Sequence, residues 1–163
     1  MKYYLKEKLR FFVNEGDLMD EEKNVVYRYD NRTKFSPKIN LYRNDEKIAC
    51  VQSEFSLFYA RYAMYYRDKE VGKLEQRFNK TEPEFLIQGL GWRVKGDMNA
   101  MKYDIFDEKG ELLVNVSQQP FDQILRMCID IKDEEREELI LTCVMAVYQY
   151  QKQRQAAVAY AGA

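Results

Sequence analysis

Histidine is missing from this sequence of 163 residues. Its absence excludes Ser-His-Asp and Cys-His nucleophilic catalysis, and it removes the commonest general base and the commonest metal ligand. Cysteine is scarce, and Cys50, Cys128 and Cys143 each lie alone in an apolar run. We therefore expect buried, reduced thiols and no zinc site. The sequence predicts no cofactor and favours a protein that is not an enzyme.

An excess of charge of either sign is also missing, because 26 basic residues stand against 27 acidic ones. A net charge of -1 gives no global attraction to nucleic acid, so we predict no nucleic-acid partner. The first residues, MKYYLKEKLRFF, lack the apolar core of a secretory signal, which predicts a cytoplasmic protein. Only seven glycines and three prolines occur, and no flexible linker divides the chain. We predict a single domain over residues 1–155, followed by an Ala-rich tail at 156–163 that frays from a helix or is disordered.

Residues 139–150, LILTCVMAVYQY, form the most apolar stretch, with ten apolar residues in twelve. These residues cover every side of a helical wheel, which indicates a helix enclosed by protein. The stretch is too short for a membrane span, which needs about 20 apolar residues, so we predict no transmembrane segment. Asp133 is a suitable N-cap, and Lys152 and Arg154 place positive charge near the other end. The predicted central helix covers residues 133–153.

Residues 3–131 contain short segments of β-branched, aromatic or alternating apolar residues, which are separated by polar clusters. Twelve candidate strands result, at 3–6, 9–13, 24–30, 38–43, 47–54, 57–67, 71–78, 84–88, 91–97, 101–106, 111–117 and 121–131. An aromatic strand, an acidic turn and an aliphatic strand recur in LYRNDEKIACV, AMYYRDKEVGKL and YDIFDEKGELLVNV. Gly110 in the third copy suits a bulged hairpin turn. Repeated hairpins indicate sequential antiparallel pairing.

About a dozen strands and one helix that is apolar all round must bury their apolar faces against each other. A closed barrel of that size is too wide for its own side chains to fill, and a helix along its axis would fill it. The predicted fold class is therefore mainly β: a closed antiparallel barrel of about twelve strands around a hydrophobic C-terminal α-helix.

The run LGWRVKGDM at residues 90–98, with Gly91 directly before Trp92, lies among these hairpins and precedes the helix. With them it resembles the LURP-one-related family, part of the tubby C-terminal-like group that includes phospholipid scramblases. The resemblance extends from residue 3 to about residue 153 and implies a twelve-stranded barrel around a C-terminal helix. It also implies membrane-related roles, since tubby domains bind phosphoinositides and scramblase-type members are tied to membranes. This chain lacks the membrane helix and the Pro/Cys-rich N-terminal region of scramblases, which argues against lipid flipping.

One hairpin, at residues 57–78, carries an unusual set of outward charges. If its even-numbered residues face inward, a three-residue turn at 68–70 follows. Arg61 then faces Arg77, and like charges across a ladder are destabilising unless solvent, an anion or a neighbouring acid such as Glu75 offsets them. In the same register Tyr65 faces Lys73. The face is either an ordinary solvated surface or an anion or lipid-headgroup site formed by Arg61, Tyr65, Arg67, Lys73 and Arg77.

Two functions follow from these patterns. The first is a non-enzymatic soluble binding or interaction module of the LURP-one-related type, with an anionic or phosphoinositide headgroup or a protein as partner. The alternative is an enzyme or carrier with a small-molecule pocket at a barrel mouth. The sequence does not indicate an oligomeric state. If the headgroup hypothesis holds, replacing Arg61 and Arg77 should reduce binding and leave stability unchanged or higher, because their repulsion is relieved.

Overall fold

The computed structural model describes residues 1–10, 13–31, 37–54, 60–78, 83–119 and 125–162. Twelve strands precede a long α-helix in these ranges. The strands are β1 (Lys2–Arg10), β2 (Val13–Met19), β3 (Val25–Asn31), β4 (Lys38–Arg43), β5 (Glu46–Glu54), β6 (Arg61–Tyr66), β7 (Lys69–Phe78), β8 (Pro83–Gln88), β9 (Trp92–Asp97), β10 (Lys102–Phe106), β11 (Leu112–Gln118) and β12 (Leu125–Ile131). The helix, α1 (Glu137–Ala161), follows a 3-10 turn at Glu134–Arg136.

The strands form one closed antiparallel barrel. Each strand pairs with its neighbours in sequence, and β1 pairs with β12 to complete the ring. Successive side chains of a strand point alternately into the barrel and out of it. In β10, for example, Tyr103 and Ile105 are buried, whereas Lys102 is exposed. Closure leaves no described strand with an unpaired edge. The predicted fold class is thereby confirmed.

Helix α1 occupies the lumen of the barrel. Every residue from 140 to 151 is buried, so no side of these three turns faces solvent. Side chains of α1 reach strands on different sides: the Tyr148 and Tyr29 hydroxyls lie 3.2 Å apart, and the Tyr150 and Phe85 ring centroids are separated by 4.8 Å. The predicted central helix is confirmed in its position, and it provides the core that a barrel of twelve strands requires.

The two ends of the helix differ in how well the sequence predicted them. Asp133 caps the 3-10 turn that leads into α1, and its carboxylate accepts a hydrogen bond from the Arg136 backbone N–H at 3.1 Å. At the other end the helix continues past residue 153 to Ala161, into the Ala-rich segment. Alanine has the highest helix propensity, so the segment extends the helix although Gln155 and the next two residues are exposed.

The hairpin of β6 and β7 has a different register from the predicted one. Its turn has two central residues, Arg67 and Asp68, with φ of 49° and 62°, which is the positive-φ pair of a type I′ turn. A bulge between Met64 and Tyr65 follows, and Arg61 then pairs with Glu75. The predicted pairing of Arg61 with Arg77 is therefore wrong by two residues. The inward parity is correct, since Tyr62, Met64 and Leu74 are buried.

Candidate functional site

The outer face of the β6–β7 hairpin brings together Arg61 and Lys73, but each of them has an acidic partner. Arg61 Nε lies 2.8 Å from Glu75 Oε1, although the approach is not that of a linear hydrogen bond. Glu75 is itself buried, and its other oxygen accepts a hydrogen bond from Gln88 Nε2 at 2.5 Å. The neighbouring acid that the sequence suggested is thus in place at Arg61.

Lys73 pairs with an acid that the sequence did not point to. Its Nζ lies 3.0 and 3.2 Å from the two carboxylate oxygens of Glu54 and 3.7 Å from Glu70. The hydrogen bond to Glu54 raises the pKa of Lys73 above its ordinary value, against the opposing effect of desolvation. Ladder positions explain the contact: Glu54 on β5 lies opposite Arg61 on β6, and Lys73 lies on β7, the next strand beyond β6. Glu54 was therefore predictable only with the correct registers of β5 with β6 and of β6 with β7.

Arg67 lies apart from the other cations. As a turn residue it reaches the mouth of the barrel, where its Nη2 is 3.1 Å from Glu138 Oε2 on α1. Tyr65 is half-buried on the outer face, opposite Glu70. Arg77 pairs through its backbone with Glu84, and its side chain lies outside the described residues. Of the four predicted residues whose side chains are described, Arg61, Tyr65 and Lys73 therefore share one outer face. Arg67 instead turns toward the helix.

The barrel mouth around the start of α1 is a network centred on two adjacent carboxylates. Glu137 Oε1 accepts hydrogen bonds from the hydroxyls of Tyr3 at 2.7 Å and Tyr27 at 2.5 Å. Burial and the bond to Glu137 raise the pKa of both tyrosines well above its usual value. These phenols therefore stay protonated donors, and they attach the first turn of α1 to β1 and β3.

Glu138 receives three donors from two turns of the barrel. Tyr66 donates at 2.8 Å, Arg43 at 3.1 Å to the other oxygen, and Arg67 at 3.1 Å. Burial alone would raise the pKa of Glu138, but the bonds from Tyr66 and Arg43 and the charge of Arg67 outweigh it, so the pKa is below its usual value. A carboxylate that is ionised and fully hydrogen-bonded is poorly suited to accept a proton from a substrate.

A concavity of about 530 Å³ opens at this mouth, between the 3-10 turn and the start of α1. Its lining comprises Arg43, Tyr66, Glu134, Glu135, Arg136, Glu137, Glu138 and Leu139. Its inner carboxylates are those already engaged by tyrosine and arginine. The described residues contain no group of three acidic or sulfur ligands placed to hold a metal ion. Glu134 and Glu135, which also line the concavity, are exposed.

The cysteines do not supply a nucleophile among the described residues. All three are free thiols; Cys128 and Cys143 are buried as the sequence predicted, whereas Cys50 is only half-buried. Burial raises the pKa of Cys143 far above its ordinary value, so its thiol stays protonated and inert.

A model of the LURP-one-related family matches residues 1–148 of the chain. The matched range contains all twelve strands and most of the buried part of α1. No curated protein and no solved structure matches. None of the helices in the described part of the chain combines the length and the apolar character that a bilayer crossing requires.

Proposed function

Since the chain belongs to the LURP-one-related family, we propose that it is a non-enzymatic binding module that takes an anionic ligand on the outside of the barrel. The observation that supports this most is the filled lumen, because residues 140–151 occupy the space in which a barrel holds a small molecule. The inert thiols and the fully hydrogen-bonded Glu138 support a role without catalysis. A ligand can then bind only to the outer faces of the strands or at the shallow mouth of the barrel.

The first ligand that we propose is a phosphorylated lipid headgroup on the β6–β7 face. Arg61 and Lys73 lie diagonally across the ladder there, since Arg61 pairs with Glu75 and Ala63 pairs with Lys73. Arginine offers paired planar donors to phosphate and lysine adds a mobile point charge. Tyr65 lies on the same face of β6 and offers a hydroxyl, and we extend the site to Arg67 and Arg77 only as its border.

Competition from the carboxylates sets the affinity that we expect. A phosphate at Lys73 must displace Glu54, and one at Arg61 must compete with the buried Glu75. Binding should therefore be weak and should fall steeply with salt, since exposed charges are screened over about 8 Å at physiological ionic strength. Releasing Lys73 from Glu54 should make binding stronger.

The test is sedimentation with phosphoinositide-containing vesicles at low and at physiological salt. We expect the native chain to bind weakly at low salt, Glu54→Gln to bind more tightly, and the Arg61→Ala/Lys73→Ala variant to lose binding. Glu111→Gln is the matched control, because it makes the same change in net charge at an exposed turn residue. If Glu54→Gln and Glu111→Gln bind alike, net charge alone governs binding and the site is wrong. If neither the native chain nor Glu54→Gln binds, the headgroup proposal fails.

The alternative of a small-molecule carrier is supported by one observation, the concavity of about 530 Å³ at the mouth. A carrier would release a bound compound on denaturation. The mass of the purified protein should therefore be larger by mass spectrometry under native conditions than under denaturing conditions. A compound that is lost in the Glu138→Gln variant would assign the function to the mouth.

A further inference from the structure

A row of four outward side chains crosses β8 to β11 on the barrel surface. Arg93 on β9 pairs with Leu86 on β8 and with Phe106 on β10, and Phe106 pairs with Leu112 on β11. With strands about 4.8 Å apart, the row is about 14 Å long. We call these four residues the outer row.

The outer row is directed away from the core. Its flanking residues in each strand are buried at 3 % exposure or less: Phe85, Ile87, Trp92, Val94, Ile105 and Leu113. Leu112 is 38 % exposed, and Leu86 and Phe106 are half-buried. None of these three apolar side chains belongs to the core that the described residues form. Apolar side chains aligned on a surface are typical of an interaction site.

The cations of this surface form no ion pairs within the described residues, although Lys95 and Lys102 lie opposite Asp104 and Asp97 in the β9–β10 ladder. Arg93, Lys95 and Lys102 are exposed, and no described carboxylate makes an ion pair with any of them. Asp104 lies opposite Lys95 but accepts a hydrogen bond from Asn115 at 2.7 Å. Lys95 Nζ instead lies 5.2 Å from the centre of the Phe106 ring. This contrasts with the β6–β7 face, where Arg61 and Lys73 both have acidic partners.

We propose that the outer row is a docking surface for an acidic amphipathic helix of a protein partner. The closed barrel offers no strand edge, so a partner cannot add a strand to the described sheet and must bind its face. Apolar residues at positions i, i+4 and i+8 of a helix span about 12 Å, which fits the length of the row. Flanking carboxylates would meet Arg93 and Lys95, and an arginine beside aromatic and aliphatic residues is a typical interface hot spot.

This inference rests on the proposed role as a binding module, but it uses a separate surface from the headgroup site. The headgroup proposal and the docking proposal can fail separately, because Arg61 and Lys73 take no part in the outer row. A symmetric contact with a second copy is disfavoured as occupant, since it would bring Arg93 close to the Arg93 of that copy.

The probe is a fluorescein-labelled synthetic peptide of roughly 18 residues, long enough to form a helix, with leucine at i, i+4 and i+8 and glutamate beside them. A peptide with lysine in place of glutamate is its control. Fluorescence anisotropy at low and physiological salt should show tighter binding of the acidic peptide. Arg93→Glu should weaken this binding by about tenfold or more, which corresponds to 1.4 kcal/mol, and Leu112→Asp should weaken it similarly.

Lys69→Glu is the matched control, because Lys69 is an exposed cation of the β6–β7 hairpin and the reversal of charge is the same. Melting temperatures should show that all variants are folded. The proposal is overturned if the acidic peptide does not bind, or if Lys69→Glu weakens binding as much as Arg93→Glu does. Sedimentation equilibrium and vesicle binding complete the test. Self-association that only Arg93→Glu abolishes would assign the outer row to a second copy, and lipid binding that only Arg93→Glu abolishes would assign it to a membrane. Either result would overturn the helix as its occupant.

Discussion

Arg61 lies opposite Glu75 in the β6–β7 ladder, and its Nε is 2.8 Å from Glu75 Oε1. This pairing replaces the predicted contact between Arg61 and Arg77 and reverses its energetic consequence. A pair of like charges would make removal of Arg61 harmless or stabilising. A pair with a buried carboxylate makes the same removal unfavourable, because it leaves Glu75 charged and without its cation.

Arg61→Ala should therefore lower the free energy of unfolding by about 1–3 kcal/mol, the cost of leaving a buried charged group without its main partner. Urea denaturation measures the change. Lys69→Ala, on the same hairpin and exposed, should change the free energy of unfolding by less than about 0.5 kcal/mol. An Arg61→Ala variant as stable as the native chain would contradict the importance of the ion pair.

The sequence was sufficient for those features that depend on local pattern. An apolar stretch without a polar side predicted the buried helix, and Asp133 predicted the start of the 3-10 turn that leads into it. Gly110 was expected in a bulged hairpin turn, and it has φ of 85° with its N–H bonded to the Asp107 carbonyl at 3.0 Å. Alternation in β6 and β7 predicted which residues face inward. Each of these signals lies within a few residues of the feature that it predicts.

The candidate site was harder to predict because it depends on register between strands. Arg67 and Asp68 both adopt positive φ, and although aspartate tolerates this region, the pair lacks the glycine that usually marks a two-residue hairpin turn. The bulge after Met64 then shifts the remaining pairs. Glu54 reaches Lys73 across β6, so its contact depends on the registers of two successive strand pairs. Glu138 lies 71 residues from Arg67 in sequence, and only the position of α1 inside the barrel brings the two together.

Glu138 should make the stability of the protein depend on pH. Its pKa in the folded protein is below the ordinary glutamate value of 4.5. Folding therefore gains stability from Glu138 at pH values above 4.5, and this gain is lost as the pH falls through the folded-state pKa. Glu138→Gln should destabilise the protein at about pH 7, and the difference from the native chain should diminish as the pH is lowered below 4.5.

Thermal unfolding of the native chain and Glu138→Gln over this pH range measures the effect. Glu135→Gln is the control, since Glu135 is exposed at the same end of the helix and its side chain forms no hydrogen bond or ion pair within the described residues. A constant difference between the native chain and Glu138→Gln at every pH would show that the ionisation of Glu138 contributes nothing.

Folding should be independent of metal ions and of disulfides. Cys50, Cys128 and Cys143 are free, and the described residues hold no group of potential metal ligands. A chelator together with a reductant should leave the melting temperature of the protein unchanged. A fall of more than a few degrees would reveal a structural ion, because loss of such an ion removes a large part of the folding free energy.

The buried helix gives the sharpest prediction of stability. Val144 is fully buried in the middle of α1 and is enclosed by the barrel. Val144→Asp would place a carboxylate without a partner in the core, which costs several kcal/mol even after relaxation and approaches the whole stability of a typical domain. We expect the variant to be insoluble or to lack cooperative unfolding by circular dichroism. Gln155→Asp adds the same charge to an exposed position of the same helix and should remain folded. A soluble, cooperatively folding Val144→Asp protein would contradict a helix that fills the lumen, and with it the argument that ligands bind outside.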